Sequence, residues 1–153
     1  MLPSLRRPVV FGDLLPGTGG GTTEQGRWKQ AVGKFGERQA AAFLKREQGM
    51  KILYRNFRAP KGGEIDLICR DGDTLVFIEV KTRTTLAYGR PAEAVNKKKQ
   101  LLIVRGALEW LRLLDHPEIL FRFDIVEILL TDGEVPEINL IKNAFNLPEH
   151  LIY

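Results

Sequence analysis

Two short segments of the chain carry carboxylates at spacings that suit metal chemistry. They are GEID at 63–66 and FIEVK at 77–81. In a β-strand, side chains two residues apart share one face, so Glu64 and Asp66 point the same way. Glu79 and Lys81 share a face for the same reason. Pairing the two strands would gather carboxylates and one ammonium group on a single patch of a sheet.

The turn between these strands decides whether the acidic pairs meet. We expect Asp71-Gly72 to be the two-residue turn of a hairpin, because Asp-Gly is a strong hairpin signal. That register sets Glu64 opposite Glu79 and leaves Asp66 diagonal to Glu79, with Cα atoms about 7–8 Å apart. The residue directly opposite Asp66 would be Phe77. A slip by one residue would send the carboxylates to opposite faces.

Carboxylates gathered in this way repel one another, by roughly 4 kcal/mol at about 4 Å and an effective dielectric constant of about 20. The cluster therefore needs a cation or a raised pKa. Oxygen ligands with open positions suit Mg²⁺ or Mn²⁺, which keep several waters and bind phosphate. Lys81 would lie near enough to orient a water molecule for attack. The alternative is a solvent-exposed hairpin with ordinary salt bridges.

Helical and strand periodicities place both segments in one α+β domain. The predicted elements are a helix from about 28 to 48, strands at about 52–57, 64–70 and 74–83, a helix at about 97–114, a strand at about 121–130 and a last edge strand or extended tail at about 135–141. Their order is αβββαβ, which predicts an α/β sandwich with one mixed sheet flanked by helices. The apolar alternation through Val76 and Ile78 is the expected buried face.

The first predicted helix carries a carboxylate of its own. Its expected core stripe runs through Trp28 and Phe35 at spacings of three and four residues. Glu37 lies off this stripe, on a second seam with Gly33 and Ala40. Small residues there would let another element approach closely, so Glu37 is placed where backbone can come near.

The length of 153 residues predicts a single domain. We expect a flexible Gly/Pro-rich leader at 1–26, the domain at 27–145 and a C-terminal tail at 146–153. A phosphate-binding loop around Gly17–Gly21 is the alternative for the leader, but neither a following Lys-Ser/Thr nor GxGxxG spacing supports it.

The single cysteine, Cys69, excludes an internal disulfide and a thiolate zinc cage. The sequence has no signal-peptide core and no stretch of about 18 apolar residues that could span a membrane. We therefore expect a soluble cytoplasmic protein without a membrane partner. His116 and His150 suit a helix end and a tail better than catalysis.

A net charge of +4 and a pI near 9.3 favour polyanionic partners. Several basic residues flank the acidic segments and could neutralise phosphates. The candidates for nucleic-acid binding are Arg55, Arg58, Lys61, Arg83, Lys97 and Lys99, with Arg90 nearby. The alternative is a mixed solvated helix face, since Arg105, Glu109 and Arg112 follow on the same helix. No motif for reading base sequence is present.

Asp66 followed by Glu79-Val80-Lys81 resembles the Asp…Glu-x-Lys signature of the restriction-endonuclease-like nucleases. The wider order of motifs resembles the YraN-type family of predicted endonucleases, from about residue 30 to Phe145. The motifs are Gly33-x-x-Gly36-Glu37, Asn56, GEIDLI at 63–68, FIEVKTR at 77–83, Gly89, Lys99-Gln100 and Arg122-Phe123-Asp124.

The resemblance implies a restriction-endonuclease-like fold shared with archaeal Holliday junction resolvases, with a core helix and a four-stranded mixed sheet. It implies cleavage of DNA phosphodiester bonds, including branched or structured DNA, with Mg²⁺ or Mn²⁺ as cofactor. Asp66 and Glu79 would bind the metal directly, together with the carbonyl of Val80. Lys81 would position the attacking water. Glu37 would bind metal through water or hold a second ion.

Gln100 is the remaining catalytic candidate, because a polar side chain at the head of the second helix's apolar face is unusual unless it reaches the site. Cutting both strands of a junction needs two sites, which favours a homodimer, although the sequence has no coiled-coil signal. Two other classes of function stay open. One is a non-catalytic nucleic-acid-binding module that keeps the nuclease fold, and the other is a structural or partner-binding domain without DNA affinity.

Overall fold

A five-stranded sheet with a helix on each face forms the part of the chain that the computed structural model describes, residues 6–14, 23–85 and 95–151. The helices are α1 (Glu24–Arg46) and α2 (Lys97–Leu113). The strands are β1 (Lys51–Arg58), β2 (Glu64–Asp71), β3 (Thr74–Thr84), β4 (Leu120–Leu130) and β5 (Glu137–Phe145). Within these ranges, no helix combines the length and the apolar composition needed to cross a bilayer.

The strands lie in the order β1-β2-β3-β4-β5, and only β3 and β4 are parallel neighbours. A parallel pair needs a crossover connection, and α2 supplies it. This arrangement confirms the predicted αβββαβ order and the mixed sheet. The sheet gains a fifth strand over the four that the resemblance implied, because the segment expected as an edge strand or tail pairs with β4 as β5.

Both faces of β3 are buried, whereas the sequence pattern predicted one. Val76 packs under α1 in a cluster with Leu44, and Phe77 packs under α2 in a cluster with Ile103. These four side chains are at most 1% exposed. The prediction was incomplete because the crossover helix covers the sheet face opposite α1. A strand covered on both faces is apolar at successive positions.

The turn between β2 and β3 is Gly72-Asp73, one residue later than predicted. The paired residues run from Leu67↔Ile78 to Asp71↔Thr74. Gly72 has φ +58°, which suits the first central position of a tight hairpin turn. The correction moves the register by two residues, and an even shift keeps the side chains of β3 on their predicted faces. In β2, Leu67 packs in the cluster under α1, whereas Ile65 packs in the cluster under α2.

The small-residue seam of α1 is buried more deeply than the predicted core stripe. Ala40 and Leu44 are fully buried, whereas Trp28 and Phe35 are only partly buried. The reason is a close approach to β3, where a Cβ atom added at Gly36 would lie 1.8 Å from Oγ1 of Thr82. The seam on which Glu37 was placed therefore does pack closely against another element.

Residues 6–14 pack against the core, which corrects the flexible leader expected for this part of the chain. The amide of Val9 donates to the carbonyl of Glu134 at 2.9 Å, and the amide of Gly133 donates to the carbonyl of Val9 at 2.7 Å. Val9 is 4% exposed. The apolar run around Val9 thus completes the core beside α1. The glycines at 17–21 lie outside the described residues.

Helix α1 begins at Glu24, four residues earlier than the predicted start at Trp28. Thr23 is its N-cap, and Oγ1 of Thr23 accepts a hydrogen bond from the amide of Gly26 at 3.1 Å. Such caps satisfy one of the amides left unpaired at a helix start. The end of the helix, at Arg46, lies close to the predicted end.

Candidate active site

The β2–β3 ladder ends at Leu67↔Ile78, although both strands continue beyond it. The first part of β2 stays paired with β1, and the last part of β3 stays paired with β4. The start of β2 and the end of β3 are therefore not paired with each other, and we call the gap between them the opening. In the opening, the amide of Val80 donates to Oδ2 of Asp66 at 2.8 Å. A side-chain oxygen thus takes the place of a ladder carbonyl, and this contact fixes the Asp66 carboxylate beside β3.

Glu79 lies next to Asp66 in this opening. Glu79 is 5% exposed, and its Oε2 atom has no hydrogen-bond partner among the described residues. Burial, and after it the charge of Asp66, raises the pKa of Glu79 to about 8. Two carboxylates that face each other have no donor to share when both are ionised. The pair therefore needs either a proton or a cation.

Glu37 reaches the same place from α1. Burial raises the pKa of Glu37, and the charge of Asp66 adds to that rise. A hydrogen bond with Asn56 of β1 acts in the opposite direction. Asn56 itself has φ +55°, a backbone conformation that asparagine tolerates better than most residues. The structure thus brings together Glu37, Asp66 and Glu79, with Asn56 as a neighbour to which the sequence analysis gave no role.

Lys99 joins the carboxylates from the first turn of α2. Its Nζ atom donates a hydrogen bond to Oε1 of Glu64 and lies 3.6 Å from Oε1 of Glu79. The hydrogen bond to Lys99 lowers the pKa of Glu64. Burial lowers the pKa of Lys99, but its pairing with Glu64 and Glu79 outweighs burial and raises that pKa. Lys99, predicted only as a phosphate contact, is thus a counter-ion of the acidic cluster.

Close backbone contact makes this arrangement possible. Gly63 precedes β2 with φ +137°, and a Cβ atom added there would lie 2.6 Å from the amide nitrogen of Gly106 in α2. A Cβ atom at Gly106 would in turn lie 2.9 Å from Cγ1 of Ile65. The two glycines therefore allow α2 to lie directly on the start of β2, which brings Lys99 to Glu64.

The two other catalytic candidates occupy different surroundings. Lys81 is partly exposed on the face of β3 that carries Glu79, and its charge lowers the pKa of Glu79. The side-chain amide of Gln100 donates to the carbonyl of Val95 at 2.8 Å. This contact holds the loop that enters α2, so the described structure places Gln100 at the helix start and gives it no carboxylate as partner.

The predicted phosphate-binding residues differ in exposure. Arg55, Arg58, Lys61 and Lys97 are exposed, whereas Arg83 is partly buried. Arg55 lines a pocket with Glu37 and Asn56. Arg90 lies outside the described residues. Cys69 is buried, and burial raises the pKa of its thiol to about 12, as is typical of an unreactive core cysteine.

The donor set suits a hard divalent cation bound partly by water. Among the described residues, no group of three or more His, Cys, Asp and Glu side chains has the geometry of a metal site. Such a site would be needed for an all-protein zinc cage. Mg²⁺ is instead held by one or two carboxylates plus waters and substrate phosphates. Asp66 and Glu79, with an unpartnered buried oxygen, meet that requirement.

Comparison with known proteins places the site within a matched family region. The family described as Uncharacterised protein family UPF0102 matches residues 36–128. That span includes the site residues Glu37, Asp66, Glu79, Lys81 and Lys99.

Individual relatives match over most of their length. A UPF0102 protein from Trichlorobacter lovleyi is 47% identical over 123 residues, which are 80% of this chain and 95% of that protein. A UPF0102 protein from Nocardia farcinica is 50% identical over 117 residues, which are 76% and 91% of the two chains. A third, from Caldicellulosiruptor saccharolyticus, is 45% identical over 118 residues, 76% of this chain and 98% of the relative.

Proposed function

Because the chain belongs to the uncharacterised protein family UPF0102, whose matched region contains the whole carboxylate cluster, we propose that it is a divalent-metal-dependent endonuclease that hydrolyses DNA phosphodiester bonds. The membership confirms the YraN-type family that the motifs predicted. The observation that carries the proposal is the pair of carboxylates in the opening of the sheet, where Asp66 is half-buried and Glu79 is buried with one oxygen unpartnered.

Asp66 and Glu79 would hold Mg²⁺ or Mn²⁺, with the carbonyl of Val80 as a further oxygen ligand. When bound, the metal supplies positive charge at the scissile phosphate and lowers the pKa of water. Glu37 lies within electrostatic range of Asp66 and would bind the metal through water or hold a second ion. The pKa of Glu79, about 8, means that loading the site displaces a proton at neutral pH.

Lys81 follows Glu79 by two residues on the same face of β3, so its ammonium lies beside the carboxylates. There it donates hydrogen bonds to the attacking water and stabilises the negative charge that gathers on the phosphate. Lys99 neutralises part of the acidic cluster from the α2 side. Positive charge thus approaches the carboxylates from two elements.

The exposed basic residues around the opening support a polyanionic substrate. Arg58 ends β1 opposite Glu64, and Lys61 lies in the turn between β1 and β2. Lys97 begins α2, two residues before Lys99. Contacts with phosphates fix position without reading base sequence, so we propose a substrate chosen by shape, branched or otherwise structured DNA. A homodimer would supply the two sites that symmetric cleavage of a junction requires.

A cleavage assay with duplex, flap and four-way-junction DNA, each with Mg²⁺, Mn²⁺ or chelator, tests the proposal. Asp66→Asn should abolish cleavage, since it removes a charged ligand while keeping the size of the side chain. Asp73→Asn, in the exposed β2–β3 turn, is the matched control and should cleave like the wild type. Metal-dependent activity that is unchanged in Asp66→Asn would refute the assigned site.

The non-catalytic nucleic-acid-binding module remains the second candidate, and the position of Lys99 favours it. Lys99 already neutralises Glu64 and approaches Glu79, so the cluster has a counter-ion within the chain. Calorimetric titration with Mn²⁺ separates the two candidates. An endonuclease should take up Mn²⁺ in a way that Glu79→Gln abolishes, whereas a binding module should bind DNA in chelator and take up no Mn²⁺ through Glu79.

A further inference from the structure

Two adjoining pockets run along the outer face of α1 and share Lys34 and Arg38 as lining residues. One pocket extends towards the start of the helix, where Asp13 and Leu14 of the docked leader form a wall. The other ends at Glu37 and therefore beside the carboxylate cluster. We name this surface the α1 groove. Its basic residues are Arg27, Lys34, Arg38 and Arg55.

The α1 groove carries an excess of positive charge. Four cations line its described part against two carboxylates, Asp13 at one end and Glu37 at the other. The Arg38 guanidinium lies 5.9 Å from the centroid of the Phe35 ring, which holds it along the helix. Lys34 and Arg55 form no ion pair with any other residue in the described ranges. No ion pair therefore competes with a ligand for these two charges, and the Lys34 charge also lowers the pKa of Glu37.

The helical cations of the groove lie on one stripe. Arg27, Lys34 and Arg38 are spaced by seven and four residues, which places them on the same side of α1. At about 1.5 Å per residue, the stripe is about 16 Å long. Three cations over this length can contact several successive phosphates of one strand. Its length and its charge both suit a nucleic-acid backbone.

We propose that the α1 groove binds the phosphodiester backbone of a nucleic-acid strand on its way to the carboxylate cluster. The proposal rests on the proposed function for the position of the cut and adds the path of the substrate. It assigns Lys34 and Arg38 to substrate binding, beside Arg55. A strand in the groove reaches Glu37 and then the opening at Asp66, so the groove leads a phosphate to the site.

Binding of fluorescein-labelled DNA and RNA oligonucleotides in EDTA, followed by fluorescence anisotropy at several salt concentrations, tests the groove without cleavage. The test variant is Lys34→Gln combined with Arg38→Gln. The matched control is Lys29→Gln combined with Arg46→Gln, which removes two exposed cations of α1 that do not line the groove. Both variants lose the same charge, and glutamine is a good helix former.

The groove variant should bind a single strand about tenfold more weakly at low salt, and its slope of log affinity against log salt should fall by about 1.4, because each lost phosphate contact contributes about 0.7 on a single strand. The control should change much less. Equal slopes for the groove variant and the control would overturn the proposal. Polyglutamate bound as tightly as DNA, with the same dependence on Lys34 and Arg38, would overturn the assignment to nucleic acid. The DNA and RNA arms identify the sugar that the groove accepts.

The same proteins separate this proposal from the proposed function. If the wild type cleaves no DNA but binds it in EDTA through Lys34 and Arg38, the endonuclease proposal fails and the groove stands. If the wild type cleaves DNA in Mg²⁺ but the groove variant binds and cleaves like the control, the groove fails and the endonuclease stands. Circular dichroism of the two variants confirms that each is folded.

Discussion

The Nζ atom of Lys99 lies 3.6 Å from Oε1 of Glu79, although the two residues belong to different layers of the sandwich. Lys99 also donates a hydrogen bond to Glu64. An ammonium in this position repels any divalent cation that enters beside Glu79. The acidic cluster therefore has an internal competitor for the metal, and removing that competitor has a measurable consequence.

Lys99→Met should increase the affinity for Mn²⁺ in the absence of DNA, on the order of tenfold, because a nearby positive charge is lost. Isothermal titration calorimetry measures the effect. Lys97→Met, an exposed residue of the same helical turn, should leave the affinity close to that of the wild type. If Lys99→Met bound Mn²⁺ no more tightly than Lys97→Met, the competition between ammonium and metal would be disproved.

Glu79 makes the metal-free protein sensitive to pH. Its pKa rises from 4.5 to about 8 on folding, chiefly through burial and then through Asp66. The folded state thus binds the proton more tightly than the unfolded state. The resulting stability is fully present below the unfolded pKa of 4.5 and is lost as the pH rises through about 8.

Glu79→Gln should lack this loss. In EDTA, the melting temperature of the variant relative to the wild type should increase between about pH 5 and about pH 9, because only the wild type then acquires a buried charge. Differential scanning fluorimetry across this range gives the comparison. A difference in melting temperature between the two proteins that stays constant with pH would contradict a raised pKa at Glu79. The neighbours Asp66, Lys81 and Lys99 are the same in both proteins.

The contact of α1 with β3 predicts opposite effects for two glycines of one helix. Gly36→Ala would place a Cβ atom 1.8 Å from Oγ1 of Thr82, so it should destabilise the fold, by about 1–3 kcal/mol. Gly33→Ala meets no atom within 4 Å and should stabilise the helix, by roughly 0.5–1 kcal/mol. Urea unfolding measures both. A stabilising Gly36→Ala would show that α1 lies further from β3.

Arg122 and Asp124 of β4 form an ion pair in which the carboxylate is buried. Asp124 is fully buried, and its Oδ1 atom accepts hydrogen bonds from Arg122 at 3.0 Å and from the amide of Asn143 at 2.9 Å. Asp124→Ala removes one of the two carboxylates paired with Arg122 and leaves the amide of Asn143 without its acceptor, so it should lower the free energy of unfolding by about 1–3 kcal/mol.

Chemical denaturation of Asp124→Ala measures this loss. The control is Glu109→Ala, which breaks the exposed pair of Glu109 with Arg112 at 2.6 Å and should have little effect. Similar losses for the two variants would mean that burial does not strengthen the contribution of Asp124. DNA binding should be unchanged in Glu109→Ala.

Local patterns predict the bounds of most helices and strands. The helix α2 and the strands β1 to β4 lie close to their predicted bounds, because their hydrophobic periods and turn residues act over short stretches. Strand alternation together with the hairpin register predicts a common patch for Glu64, Asp66, Glu79 and Lys81. Glu37 was placed by the geometry of a helix.

The remaining features depend on partners far apart in the sequence. The turn was misplaced because Asp71 is held in β2 by Arg122 at 2.8 Å, a contact that the Asp-Gly signal does not contain. Lys99 reaches Glu64 only because Gly63 and Gly106 bring two elements into backbone contact. Gln100 was assigned to the site from its position on the helix, whereas Val95 supplies a local acceptor for its amide.

The backbone hydrogen bonds of Val9 with Gly133 and Glu134 also limit how far the protein can be shortened. A chain trimmed to begin at residue 27, the expected domain boundary, would lose both the Thr23 cap and the side chain that closes the interior above Phe43. Water would enter there, and the exposed apolar surface would promote aggregation at high protein concentration. Shortened proteins for crystallisation should therefore keep the segment from Arg6 onwards.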